Sequence, residues 1–211
     1  ESAGFTGGMP SGWSTPDNTL KSTVQPIVDA MEASFKLFAA TFGVDASAAF
    51  ALRLDTDPSG KALGGVGASA QVGGQTVYSS PASLLGDAIG RDPAAVAAAL
   101  QAEAANALLA AFKASGVAQD IVDYLDALAP ADLSAGITKL TQAFTLTNAA
   151  MTQLGQDAAS AFGEAGATAR VQLVDMAGGA QAFADKFGAF TQAFYSDAER
   201  LGQTQAALAK G

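Results

Sequence analysis

The sequence predicts a mainly α-helical chain of Ala-rich hairpins or a bundle, with a small three-stranded antiparallel β meander near residues 47–80. Three observations predict it. Apolar residues recur at helical steps of three and four on either side of that stretch, residues inside it alternate with strand periodicity, and caps and stops punctuate the chain from Asp92-Pro93 onward.

The first residues, ESAGFTGGMPSGWS (1–14), have neither the basic flank nor the apolar run of a signal peptide and read as a Gly-rich linker, as in a piece of a longer chain. Thr15-Pro16-Asp17 is then a helix start: Thr15 caps, Pro16 takes the first helical position and Asp17 sits at the positive end of the dipole. Leu20, Val24, Ile27, Met31, Phe35, Phe38 and Phe42 form one apolar stripe that Gly43 ends, with Pro26 expected either to kink the helix or to restart it. Next, Phe50, Leu52 and Leu54 alternate with Ala51, Arg53 and Asp55, followed by GVGASAQV, a Gly73-Gly74 hairpin turn and QTVYSS. Such Gly- and Ala-rich strands are weak and need a helix or a partner chain against them.

Asp92 caps a helix bearing Val96, Leu100, Leu108 and Phe112 that stops at Ser115-Gly116. A second carries Val117, Ile121, Val122, Leu125 and Leu128 up to Pro130, and a third, opened by Asp132 or Ser134, carries Ile137, Leu140, Phe144, Met151 and Leu154 up to Gly155. Helical segments near 156–163 and 167–177 follow, and Ser196 with Glu199 forms a capping box for a last helix. The expected organisation is therefore a linker (1–14), a helix with the meander (15–90) and a helical region (91–211).

Composition closes off much chemistry. Twenty acidic against 11 basic residues give a net charge of −9 without a Lys/Arg run, so no nucleic-acid recognition is expected. The chain has no Cys and no His, which removes disulfides, thiolate zinc sites, Cys nucleophiles and the commonest general base. Apolar runs such as PAAVAAAL (93–100) fall short of the ~20 residues of a membrane span, so none is expected.

Several stretches invite a functional reading. DTDPSGKALGGVG (55–67) begins like a calcium loop, but its ninth and twelfth positions are Leu63 and Val66, which supply no ligand. As a phosphate loop it lacks the first Gly, having Asp55, and the hydroxyl after Lys61, having Ala62; Asp-Pro-Ser-Gly is ordinary turn chemistry. Asp120, Asp123 and Asp126 recur every third residue and drift around a helix, as a solvated face does. No Ser lies in a Ser-x-x-Lys arrangement, so no catalytic residue, metal ligand or cofactor site is assigned. Phe183, Phe187, Phe190 and Phe194, with Tyr195 adjacent, line one helix face; they form either a core or helix-pairing stripe or an exposed ridge that docks on another protein.

Residues 173–200, LVDMAGGAQAFADKFGAFTQAFYSDAER, resemble a segment of the tail-length tape-measure proteins of long-tailed bacteriophages and prophages. There a Leu-hydrophobic-Asp-x-x-Gly-Gly turn precedes an aromatic helix ending in a Tyr or Phe pair and a Glu-Arg doublet. The matching positions are Leu173, Val174, Asp175, Gly178, Gly179, Phe194, Tyr195, Glu199 and Arg200, with Ser196 as the cap. The early helix QPIVDAMEASFKLFAATFGV, the Gly-rich meander and the pair QDIVDYLDAL and ADLSAGITKL extend the resemblance over roughly residues 20–205 in the same order.

The resemblance implies a non-enzymatic structural protein of the virion, present in the host cytoplasm during assembly and then in the tail. Such proteins help set tail length and occupy the tube and tip; the expected partners are tail-tube and tail-tip proteins, with self-association as a coiled coil. A sheet and glycine breaks suit the compact tip-proximal part better than a rod, since a ruler needs a continuous helix rising ~1.5 Å per residue. Two other readings stand beside it: an acidic helical interaction domain of a secretion or surface protein, and a cell-wall hydrolase module of a phage tail.

Overall fold

The computed structural model describes residues 2–3, 18–56, 62–85, 92–155, 161–162, 166–196, 198–199, 201–202 and 205. The chain is mainly helical with one small antiparallel sheet, and it divides into two compact units, residues 1–137 and 138–211.

In the first unit, helix α1 (Asn18–Phe42) buries Val24, Met31, Phe35 and Phe38 of the expected stripe, together with Val28, which that stripe did not include, while Ile27 and Phe42 are half-buried. It runs on through Pro26 instead of restarting there. Pro26 lies on the exposed side, where solvent can replace the hydrogen bond that the ring removes. The helix closes at Gly43, beyond which the Val44 N–H donates to the Ala39 carbonyl at 3.0 Å, the longer of the two bonds of a Schellman end.

Strands β2 (Ala46–Thr56), β3 (Ala62–Val72) and β4 (Gln75–Leu84) form the expected meander, with Gly73 and Gly74 both at positive φ as a two-residue type I′ hairpin demands. The register sets Phe50 opposite Ala68 and Ala70 opposite Tyr78, so Phe50, Ala68, Ala70, Tyr78 and Val66 share one face. Helix α2 (Pro93–Ala114) covers that face. The Tyr78 hydroxyl donates to Glu103 Oε2 of α2 at 2.7 Å, tying the last strand to the helix. Burial together with the Glu103 hydrogen bond and charge pushes the Tyr78 hydroxyl above its ordinary value.

Small residues make this close packing possible. β3 is buried from Gly64 through Ala68, and α2 presents Ala97, Ala104, Ala105, Ala107 and Ala111 among its buried side chains. Ala adds helix propensity without bulk, so backbone can approach backbone. Larger side chains concentrate where α1 meets α2: the Phe112 ring stacks on Phe38 at 3.9 Å between centroids and on Phe35 at 5.6 Å.

Asp92 caps α2 as its position suggests, its Oδ1 accepting from the Ala94 N–H at 3.0 Å. Helix α3 (Gln119–Asp126) buries Ile121, Val122 and Leu125. A 3-10 turn at Pro130–Asp132 leads into α4 (Leu133–Gln153), which starts directly after Asp132. Ser34 of α1 and Ser134 of α4 share a 2.6 Å hydroxyl hydrogen bond in which one donates, leaving the other hydroxyl to donate to the Ala30 carbonyl, which lies within reach of both.

Three expectations change. The division at residue 90 does not hold, because α2 packs on the sheet and on α1 and so belongs with both. Ser2–Ala3, expected within a linker, pairs as strand β1 with Arg53 and Leu52 at the β2 edge. Third, α2 is long and apolar enough to cross a membrane by length and composition alone, although no short stretch suggested it. Its polar residues Gln101, Glu103 and Asn106 interrupt each short run, and half of its apolar window is buried against the sheet and α1, as in a core helix. The Thr15-Pro16-Asp17 helix start, Trp13 and the Asp57–Gly60 part of the turn lie outside the described residues.

Phe112→Ala is expected to lower the stability of the first unit by about 3–5 kcal/mol, the usual cost of emptying a buried aromatic site. Urea unfolding monitored by circular dichroism checks this; a loss below ~1 kcal/mol would mean the Phe35–Phe38–Phe112 stack does not anchor the unit.

Candidate interaction surface

The second unit contains the ridge expected from the sequence. Helix α5 (Gly166–Ala177) and helix α6 (Ala180–Phe194) meet at Gly178-Gly179 with no residue to spare. The Gly179 N–H donates to the Val174 carbonyl and the Gly178 N–H to the Asp175 carbonyl, both at 2.9 Å, which is a complete Schellman end for α5. Gly179 is at once the N-cap of α6, its carbonyl accepting from the Phe183 N–H at 2.9 Å. One glycine therefore ends a helix and starts the next. Their φ values of 100° and 96° lie where L side chains are strained, which explains two consecutive glycines.

Side chains brace the corner. Lys186 Nζ donates to the Ala177 carbonyl at 2.8 Å, placing a cation at the negative end of α5, and Lys139 Nζ pairs with Asp175 Oδ2 at 2.7 Å. The Lys139–Asp175 pair is half-exposed and contributes little stability beyond orientation. Thus Asp175, Gly178 and Gly179 come together as the turn that the sequence suggests.

Below the corner lies a group that the sequence does not single out. Arg170 is buried, its guanidinium carbon 4.2 Å from the Phe144 ring centroid and 4.8 Å from that of Phe162. Its Nη1 donates to Thr147 Oγ1 at 3.1 Å and to Asn148 Oδ1. Thr147 in turn donates to the Ala143 carbonyl at 2.6 Å. A desolvated cation over aromatic faces contributes about 2 kcal/mol or more, so α5 is pinned through Arg170 as well as through Ala167, Val171 and Val174. A lone Arg between small residues in GATARVQLV gives no such signal, since its ring partners Phe144 and Phe162 lie outside its own helix.

Helix α6 contrasts with this. Its aromatic side chains form a ladder along one face, with ring centroids 6.3 Å apart for Phe183–Phe187, 6.3 Å for Phe187–Phe190 and 4.8 Å for Phe190–Phe194, and Tyr195 edge-on to Phe190 at 6.4 Å. The only buried residue of the helix is Thr191, whereas Phe190 is 41% and Phe194 72% exposed. Met176, at the end of α5, is 77% exposed. The rings stack on each other along their own helix, with Phe183 and Phe187 half-buried.

The ladder ends where Tyr195 turns extended, at φ −120° and ψ 133°. Ser196 and Glu199 then form the expected capping box: the Ser196 N–H and hydroxyl donate to Glu199 Oε2 at 2.8 and 2.7 Å, and the Glu199 N–H donates back to Ser196 Oγ at 3.4 Å. The Ser196 hydroxyl first, and its backbone N–H second, hold the Glu199 carboxyl below its ordinary value. Arg200 lies outside the described residues.

Elsewhere the candidates disperse. Asp126 meets Lys113 at 3.2 Å and Asp123 accepts from Gln119 at 2.7 Å, both at exposed positions, so the three Asp line a solvated face of α3. Among the described residues, no group of three His, Cys, Asp or Glu side chains could hold a metal ion. Asp55 falls within β2, opposite Leu63, and not in a loop. No protein-family model, no curated protein and no solved structure matches the chain.

Gly178→Ala is expected to destabilise the α5–α6 corner by about 1–3 kcal/mol through left-handed strain, with the added Cβ also 3.3 Å from that of Ala182. Thermal unfolding of the variant tests it; an unchanged midpoint would sink the strain argument. The capping box should be pH-sensitive. Because the Glu199 carboxyl is depressed in the folded chain, its contribution is present above the unfolded carboxylate value and is lost as pH falls through the folded one. NMR titration of the Glu199 carboxyl alongside the Ser196 amide should show both moving together below the ordinary Glu range, and independent titrations would count against the box.

Proposed function

We propose that this chain is a non-enzymatic structural segment that works through protein–protein contacts, and that its setting is the tail of a long-tailed phage or prophage. In this reading it is a tip-proximal part of a tape-measure protein. The observation that carries the contact role is α6: a 15-residue helix with stacked phenylalanines on one face and Thr191 as its only buried residue. Water-exposed aromatic area of this kind is costly for a lone chain and is typical of surfaces that meet a partner.

The tape-measure setting rests on the resemblance carried by Leu173, Val174, Asp175, Gly178, Gly179, Tyr195, Glu199 and Arg200 and on the order of the upstream pieces. Two features support a compact location over the rod. A sheet covered by α2 has no place in a ruler whose length grows with residue number, and Gly178-Gly179 breaks the helix between α5 and α6. The partners proposed are tail-tube and tail-tip proteins. Net charge of −9 would keep the segment soluble before assembly and free of the DNA that later passes through the tube.

An in-frame deletion of residues 138–211 from the gene that encodes the chain separates the possibilities. Tails of unchanged length that no longer infect are expected for a compact tip module. Shortening by ~1.5 Å per deleted residue would instead make this unit part of the ruler. Tails of normal length and full infectivity would overturn the assignment.

A further inference from the structure

The exposed end of α6 differs from the rest of the chain in charge. Residues 1–137 carry 14 acidic against 6 basic side chains, a net of −8, whereas residues 138–211 carry 6 against 5, a net of −1. The charge of the protein is therefore that of its first unit, while the exposed rings belong to the second. Phe190 and Phe194 lie about one helical turn apart within the run between Lys186 and Asp197, in which there is no charged residue. Ala189 and Ala193 flank the pair, both exposed and both small, so the two rings stand above an uncharged surface.

Among the described residues, the charged side chains that flank this run are engaged within the chain. Before it, Lys186 Nζ donates to the Ala177 carbonyl at 2.8 Å, and Asp185 Oδ1 accepts from Gln181 Nε2 at 2.9 Å. After it, Glu199 Oε2 accepts both Ser196 donors, at 2.8 and 2.7 Å. To meet an opposite charge on a partner, each would have to share or give up a bond that shapes the corner or the capping box. A Lys, Arg, Asp or Glu of the partner lying under the rings would itself be stripped of water with no counter-charge to receive it, which is unfavourable.

We infer that the surface receiving α6 is an uncharged apolar groove of a partner protein, with Phe190 and Phe194 as its two anchors, and that the first unit's charge takes no part in the contact. The inference rests on the reading that α6 meets a partner and names that partner's chemistry. Apolar side chains at i and i+4 of an exposed helix face, filling pockets of a groove, are the helix-in-groove mode of recognition, in which a few buried aromatic anchors carry the affinity. Contact of this kind does not depend on matching charges, so salt does not loosen it.

The test measures binding of the full 211-residue chain to purified tail-tube and tail-tip proteins of the phage or prophage that encodes it, from ~0.05 to ~1 M NaCl. The expected affinity changes by less than about threefold over that range, because screening acts on ion pairs and not on apolar burial. Phe190→Glu with Phe194→Glu should weaken binding at least about tenfold with the circular dichroism spectrum unchanged, both side chains being exposed in the unbound chain. Asp29→Asn with Asp123→Asn, at exposed positions of the first unit, should leave the affinity unaltered. A loss of about tenfold or more at high salt, or equal binding by the double Glu variant, would overturn the apolar groove and leave the proposed function standing. Association of the chain with itself that the double Glu variant abolishes would assign the rings to a second copy and likewise overturn it. No binding to either tail protein at any salt concentration would reject the proposed function, and this inference with it.

Discussion

Phe112, stacked against Phe35 and Phe38, is the contact on which the first unit depends. It comes from the far end of α2, the helix that also covers the sheet, so one aromatic cluster fixes α1 and the meander to the same scaffold. Without α2 the sheet would be three Gly- and Ala-rich strands and a two-residue edge piece, too poor in apolar area to stand alone. The small residues that make the strands weak also let α2 lie close over them. Weak strands and a close helix are therefore one design, in which area lost per side chain is recovered by dense packing.

The second unit divides its apolar residues differently. Arg170, Ala167, Val171 and Val174 commit α5 to the interior, and the guanidinium sits between the rings of Phe144 and Phe162. None of the four phenylalanines of α6 is fully buried: Phe183 and Phe187 are half-buried, and Phe190 and Phe194 are exposed. The two outer rings, Phe190 and Phe194, stay exposed while Phe144 and Phe162 flank the buried Arg170. Their exposure is a property of the helix's placement, which the Gly178-Gly179 corner sets.

Most of the fold was legible in the sequence because its signals are local. Asp92 before a proline, Gly43, Gly116 and Gly155 after apolar stripes, Gly73-Gly74 between alternating runs, and Ser196 with Glu199 each act within a few residues, and each took the expected role. What escaped depends on contacts distant in sequence. The Tyr78–Glu103 hydrogen bond spans 25 residues and the Arg170–Thr147 bond spans 23, and neither partner carries a local mark. The boundary expected at residue 90 failed for the same reason: composition changes there, but the covering helix belongs with the sheet it covers. The aromatic stripe was visible as a stripe. Periodicity alone left open whether it was core or surface, and only burial separated them.

The same distinction between local and distant signals bears on residues 173–201. In residues 173–201 the local signals disagree: glycines and a capping box ask for breaks, while the 3.5-residue apolar phase and the absence of proline suit continuity. In the folded chain the local breaks prevail, as the positive φ of Gly178 and Gly179 and the Ser196–Glu199 bonds show. Conflict between local preference and long-range phase is ordinarily a fault in a sequence meant for one structure.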